Sequence, residues 1–287
     1  MWCLLGVAFV GCTGQQTADL PEIELSPRIR PAVAWVGDGA FVFGGTTPER
    51  PDPGTYEEVF LADGAVVASG SARGPAIPPP PFDGRLNHAE AAVVDGDVVL
   101  RASEPPRTLL VLEVDTGEWR LVDEPAATTR SWCVEQGSLV TVASDRRLSL
   151  LDLADPGEAT VRTAEAPLSL AAGPPAPVVT CTGDGVVVTQ VSGDLAATTY
   201  DPAPDQWGPV SAPDADTSTF VDTSFWTGDE VVLVDGGNAD RSALALDPTT
   251  GAWRSLPPPP VALGGGVWGE GAVAVWDGEA LVAYDPG

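Results

Sequence analysis

Lysine is missing from this chain, histidine and methionine occur once each, and cysteine occurs four times. Each shortage removes something. With His88 as the only histidine, a single subunit cannot assemble the multi-histidine set that zinc hydrolysis uses, and no metal ligand set is expected. No lysine means that all 14 basic residues are arginine, and against 41 acidic residues they leave a formal charge of −27. A field of that sign repels phosphate backbones and anionic headgroups, so nucleic acid is disfavoured as a partner. Solubility is the plain reading of the excess, with cation binding or a salty habitat as the others. Also lacking are a Gly-x-Ser-x-Gly nucleophile elbow and a phosphate-cradling glycine loop, so no cofactor is expected.

Long uninterrupted segments are lacking too. The 32 glycines and 29 prolines are scattered, and they cut the apolar sequence into pieces too short for most helices. The class expected is all-β. At 287 residues the chain is long enough to bury roughly three quarters of its unfolded surface without staples.

What is present is a rhythm. Residues 229–261 hold three short apolar strands, cut by a Gly-Gly pair, a Pro-Thr-Thr-Gly turn and a proline run. Worn copies recur at roughly 40 to 50 residues, a period that means stacked units. Glycine turns mark the register at Gly37-Asp38-Gly39, Asp95-Gly96, Gln136-Gly137, Gly183-Asp184-Gly185, Thr227-Gly228 and Gly269-Glu270-Gly271. Each stands between β-branched runs, as a buried hairpin requires. Asp63-Gly64, Asp115-Thr116-Gly117, Asp155-Pro156-Gly157, Asp201-Pro202, Asp247-Pro248 and Asp285-Pro286 are read as closing third strands. Trp119, Trp207 and Trp253 open fourth strands, and tetraprolines at 78–81 and 257–260 fall between units.

These landmarks predict a six-bladed β-propeller of four-stranded antiparallel blades over residues 20–287. The last unit supplies only three strands. Residues 23–28 are expected to be its fourth, closing the ring and removing two exposed sheet edges.

Gly236-Gly237 with Trp253, Val42-Phe43-Gly44-Gly45, and Arg85-Leu86-Asn87-His88 resemble the kelch repeat. That resemblance implies blades around a channel, used as a scaffold for binding. Trp276-Asp277 occurs once, as a WD pair would, and residues 247–253 also resemble a quinoprotein repeat, with the tryptophan closer to the glycine. The kelch-fold copper oxidases need two histidines and are excluded. Kelch-type sugar isomerases work with carboxylates and arginines and are not.

At the amino terminus, a short apolar stretch at 2–10 leads to Phe9-Val10-Gly11-Cys12 and a polar run. This resembles a bacterial lipoprotein signal, which implies lipidation of Cys12, with 1–19 as signal and tether. No Arg or Lys precedes the apolar run, and Phe9 stands where leucine is common. A plain secretory signal and an unprocessed cytoplasmic terminus are the alternatives; Cys3 is lost in the first two cases.

Candidate chemistry is thin. Cys133 and Cys181 each lie four residues before a turn glycine and are read as matching sites on adjacent inner strands. Facing sheets stand about 10 Å apart, so only crowding near the axis would let them form a disulfide; two inert thiols are the other reading. Residues 213–218 begin like a calcium loop but lack its glycine and its closing glutamate. Arg85, His88, Arg130, Trp132, Trp226 and Trp268 are candidate binding residues at the channel mouths, and Trp35 stands at a comparable place. Tryptophans there either pad the space between blades or form a stacking floor for a sugar or an aromatic side chain. The function expected is a monomeric, extracytoplasmic, lipid-anchored propeller that binds a protein or carbohydrate at one face without catalysis. The alternatives are a metal-independent kelch-type sugar isomerase or mutarotase, and an envelope-assembly scaffold.

Overall fold

The structure is a computed structural model. It describes residues 22–29, 31–37, 39–47, 60–68, 71–81, 90–101, 108–123, 131–142, 147–153, 160–161, 165–168, 177–191, 194–214, 221, 223–234, 242–257, 266–269, 272–276, 279 and 281–284. Among these residues every regular element is a strand.

β1 (Glu22–Glu24) is followed by β2 (Ala32–Val36), β3 (Gly39–Phe43), β4 (Gly64–Val67) and β5 (Arg73–Pro75). The next sheet is β6 (Glu90–Val94), β7 (Asp97–Arg101), β8 (Thr108–Glu113) and β9 (Glu118–Asp123). A third is β10 (Trp132–Glu135), β11 (Ser138–Val142), β12 (Leu148–Asp152) and β13 (Thr160–Val161). The fourth is β14 (Val178–Cys181), β15 (Val186–Gln190), β16 (Ala196–Asp201) and β17 (Gln206–Trp207). The fifth is β18 (Thr223–Trp226), β19 (Val231–Val234), β20 (Ala243–Asp247) and β21 (Ala252–Leu256). The last comprises β22 (Gly266–Gly269), β23 (Ala272–Trp276) and β24 (Leu281–Tyr284).

Each sheet is an antiparallel meander, and the first strands of successive sheets pack side by side until β22 returns to β2. The fold is an all-β propeller of antiparallel four-stranded blades. Alternation along each strand explains the near-continuous apolar runs, because both faces of a sheet are covered. Val98 and Leu100 pack with Phe41 and Phe43 of the first sheet, while Val99 between them packs with Leu139 and Leu151 of the third. The same exchange continues with Val140 against Val188, Val187 against Leu233, and Val232 against Val273. It closes where Trp276 enters the cluster of Val33 and Val42.

The blade count departs from the sequence reading. Four sheets have four strands, and the first, β2–β4, is extended by a single bridge from Ala76, just after β5, to Ala65 of β4. The sheet β22–β24 has three strands among the described residues, so there are five complete blades and not six. Nor do residues 23–28 complete it. Instead β1 pairs with β5, Ile23 opposite Gly74, and lies outside the first blade. The cause is Arg28, whose side chain is fully buried. Its guanidinium donates to the carbonyls of Gly44 (3.2 Å) and Asp63 (3.1 Å) and to the Asp63 carboxylate (3.3 Å). Its Nε donates to the Ser26 carbonyl at 3.1 Å. A buried charge needs such partners, and apart from Ser26 they belong to the first blade. Asp63-Gly64 likewise opens β4 instead of closing a strand.

The fourth-strand tryptophans join neighbouring blades. Trp119 Nε1 donates to the Pro78 carbonyl at 2.8 Å, its ring edge-on to Phe43, and Trp253 Nε1 donates to Ser211 Oγ at 3.2 Å. In both cases the partner lies on the segment leaving the previous blade. The hairpin before each tryptophan turns through a left-handed residue, Gly117 (φ 70°) or Gly251 (φ 71°). Asp205 (φ 54°) takes that place before Trp207 and accepts from Tyr200 Oη at 2.6 Å.

Candidate functional site

Contacts between inner strands join start to start and turn to turn, so these strands run the same way round the axis and define two mouths. At the starting end, Trp132 Nε1 of β10 donates to the Glu90 carboxylate of β6. Arg101 of β7 lies opposite Glu90 in register and is 4% exposed. Glu90 itself is exposed. A carboxylate is thus presented at this mouth, fixed from the neighbouring blade by an indole N–H and with a buried guanidinium on the adjoining strand. Such an arrangement can receive hydrogen-bond donors or a cation, and a held carboxylate can also act as an acid or base.

At the turn end, the junction of β10 and β14 is held by a covalent bridge and by hydrogen bonds between the two strands. Cys133 and Cys181 form a disulfide with their Cα atoms 5.7 Å apart. The two are not at matching sites. Glu135 pairs with Ser138 across a two-residue turn, and Thr182 N donates to the Gly185 carbonyl across the corresponding turn. Thr182 therefore corresponds to Glu135, and Cys181 to Val134. Because side chains alternate, a residue at the same register as Cys133 would point away from it. The offset of one residue turns the two sulfurs toward each other.

Hydrogen bonds flank the bridge. Val179 N donates to Ser131 Oγ at 2.8 Å, Gly183 N to Glu135 Oε2 at 3.0 Å, and Gln136 Nε2 to the Gly183 carbonyl at 3.1 Å. Burial pushes the Glu135 carboxyl up; the Gly183 N–H opposes this and the Asp184 charge adds to it. A carboxyl whose folded value is raised favours the fold when protonated, and that contribution is lost as pH rises through the folded value. Glu135→Gln keeps an acceptor for Gly183 N and removes the charge. The variant is expected to melt higher than the parent at pH 7, with the gap closing below the ordinary glutamate value of about 4.3. Differential scanning calorimetry at both pH values checks this; a variant that melts lower at pH 7 contradicts it.

The candidate residues from the sequence are placed unevenly. Arg85, His88, Arg130 and the lipidation candidate Cys12 lie outside the described residues. Trp268 belongs to β22, its side chain also outside them. Trp132 is 8% exposed, its ring in the cluster with Val99 and Leu139 between the second and third sheets. Trp226 is half-buried against Val187 and Val231, and Trp35 packs near Val33 and donates to the Gly37 carbonyl at 3.1 Å. The three described tryptophans at strand ends therefore fill space between blades. Sequence reasoning passed over Glu90, Arg101 and Glu135. Their signal is a charged residue at the end of an otherwise apolar or aromatic inner hairpin.

No protein-family model matches the chain, and no curated protein does. Among solved structures, the chain is similar to a structural genomics protein of unknown function from Bacteroides thetaiotaomicron VPI-5482. The match has a TM-score of 0.57 and 15% identity, over 93% of this chain and 71% of that one. At that identity, what the two share is the fold.

Proposed function

We propose that this propeller is a non-catalytic binding protein of the kelch type, working outside the cytoplasm. It takes a protein or glycan ligand at the mouth that carries Glu90. The observation behind this reading is the exposed Glu90 carboxylate, held by Trp132 and standing opposite Arg101 at one end of the inner strands. In the sequence, Arg85 and His88 precede Glu90 by five and two residues, and Arg130 precedes Trp132 by two. We assign them to the same binding surface. Trp253 with Gly236-Gly237 supports the kelch assignment. A disulfide between inner strands fits an oxidising compartment, in keeping with export and a lipid at Cys12.

The second reading is a metal-independent sugar isomerase or mutarotase, favoured by the juxtaposition of Glu90 and Arg101. A glycan array and a pull-down from envelope extract, each run with the protein and its Glu90→Gln variant, test the binding reading. The expected result is a reproducible ligand whose affinity falls about tenfold in the variant, roughly 1.4 kcal/mol. Silence in both assays, or a ligand indifferent to the substitution, contradicts it. Turnover of a sugar seen by NMR, and lost in Glu90→Gln, would replace binding with catalysis.

A further inference from the structure

We propose that the Cys133–Cys181 bridge is a reversible thiol–disulfide exchange site that sets how tightly the third and fourth blades are joined, and that its charge setting selects an uncharged dithiol as co-reactant. The bridge belongs to two inner strands, and both cysteines are half-buried rather than sealed in the core. A thiolate needs access to sulfur, and neither residue is fully closed off from solvent.

The surroundings separate opening of the bridge from loss of the fold. Ser131 with Val179 on one side, and Glu135 and Gln136 with Gly183 on the other, tie the same two strands without the sulfurs. Apolar contacts of Val140 and Val142 with Val186 and Val188 persist beneath. When the bridge opens the blades stay docked and the thiols remain opposed, ready to close again.

Charge supplies the selectivity. Glu135 lies two residues from Cys133 and therefore on the same side of β10, and Asp184 stands in the turn after Cys181. The chain as a whole carries −27. Both reagents attack as thiolates, but a sulfonate on the monothiol adds a second negative charge, and that reagent is the more strongly repelled by this field. In the exchange, one thiolate of the dithiol attacks a bridge sulfur, breaking the S–S bond and forming a mixed disulfide. The displaced cysteine takes up a proton. The second thiol of the reagent then closes on the first to form the reagent's own disulfide, releasing the other cysteine. Two electrons and two protons pass from dithiol to cystine.

The experiment treats the folded, oxidised protein with dithiothreitol or with mercaptoethanesulfonate, traps thiols by alkylation, and follows hydrogen exchange. The expected result is alkylation at both Cys133 and Cys181 with the far-ultraviolet circular dichroism retained. Exchange should rise in β10, β11, β14 and β15 and recover on reoxidation. The anionic thiol should react about tenfold more slowly at low salt, the gap narrowing at about 0.5 M salt as screening shortens the field. Cysteines that stay protected until denaturant is added would overturn the proposal, as would exchange rising no more in these four strands than in the rest of the ring, or equal rates for the two thiols at low salt. The Cys133→Ser, Cys181→Ser double variant should show the raised exchange without any reductant. If that variant exchanges like the oxidised parent, the bridge has no conformational effect and the proposal fails. Should it not fold, native reduction of the parent decides alone.

Discussion

Replacing both Cys133 and Cys181 by serine is expected to lower the unfolding free energy by about 4 kcal/mol, the loop-closure value for a bridge between residues 48 apart. For a chain of this size that is a fall in melting temperature on the order of 10 °C. The effect lies in the denatured state: without the bridge, the segment from β10 to β14 regains the freedom that closure had removed. Two signatures should accompany it in urea titrations. The midpoint should drop, and the slope of free energy against denaturant should rise, because the unbridged denatured chain is more expanded. A loss below about 1 kcal/mol would mean that the bridge does not constrain the denatured chain in this way. Serine suits the test because both positions are half-buried, so the hydroxyls are not stranded in the core.

Arg28→Ala is the other substitution with a large expected effect, about 3 kcal/mol. It removes the donors now satisfying the carbonyls of Ser26, Gly44 and Asp63 and leaves a cavity where a fully buried side chain stood. The partner carboxylate is half exposed and can be hydrated, which keeps the loss at the lower end of the range for broken buried pairs. Asp63→Asn should cost less, about 1 kcal/mol, since the backbone acceptors of Arg28 remain. Arg28→Lys should not rescue, because a single ammonium cannot reproduce the planar fork that serves several acceptors at once. Hydrogen exchange locates the effect. Protection should fall in β1, β4 and β5 and stay unchanged in β22–β24. Loss of protection in the last sheet instead would place residues 23–28 there as its fourth strand.

That contrast shows where sequence pattern stops being informative. The repeat period, the glycine turns and the fourth-strand tryptophans are local features, and several of them appear at their expected places among the described residues. Asp95-Gly96 and Gln136-Gly137 are tight turns with positive φ at both residues, and Trp119 and Trp253 do bridge neighbouring blades. The destination of residues 22–29 is not local. Apolar Ile23 and Leu25 suit any sheet edge, and what decides between edges is the set of acceptors for Arg28, supplied by residues 16 to 35 positions away. The count of complete blades failed with it, because the sixth was to be completed by that strand.

The cysteines teach a finer lesson. Their spacing to the turn glycines is identical, yet the turns use those glycines differently: Gly137 is a turn residue, whereas Gly185 already pairs across the hairpin with Thr182. A shift of one residue reverses which neighbour a side chain faces. The candidate mouth was legible only in part. Arg85, His88 and Arg130 stood out as charged or titratable residues at blade entries, but the structure draws attention to Glu90 and Arg101, whose significance depends on strand register across a hairpin. Glu135 is a comparable case: burial raises its carboxyl, and the neighbouring blade adds the opposing Gly183 N–H and the reinforcing charge of Asp184.

The stacking of successive sheets about one axis, each first strand beside the next, underlies the candidate mouth, the inter-blade cores and the sulfur bridge alike. Its most direct test is a peptide map of air-purified protein, denatured, alkylated without reductant and digested. A single cross-linked peptide pair containing Cys133 and Cys181, with neither residue alkylated, is the predicted result. Two alkylated thiols, or either cysteine bonded to Cys3 or Cys12, would contradict it.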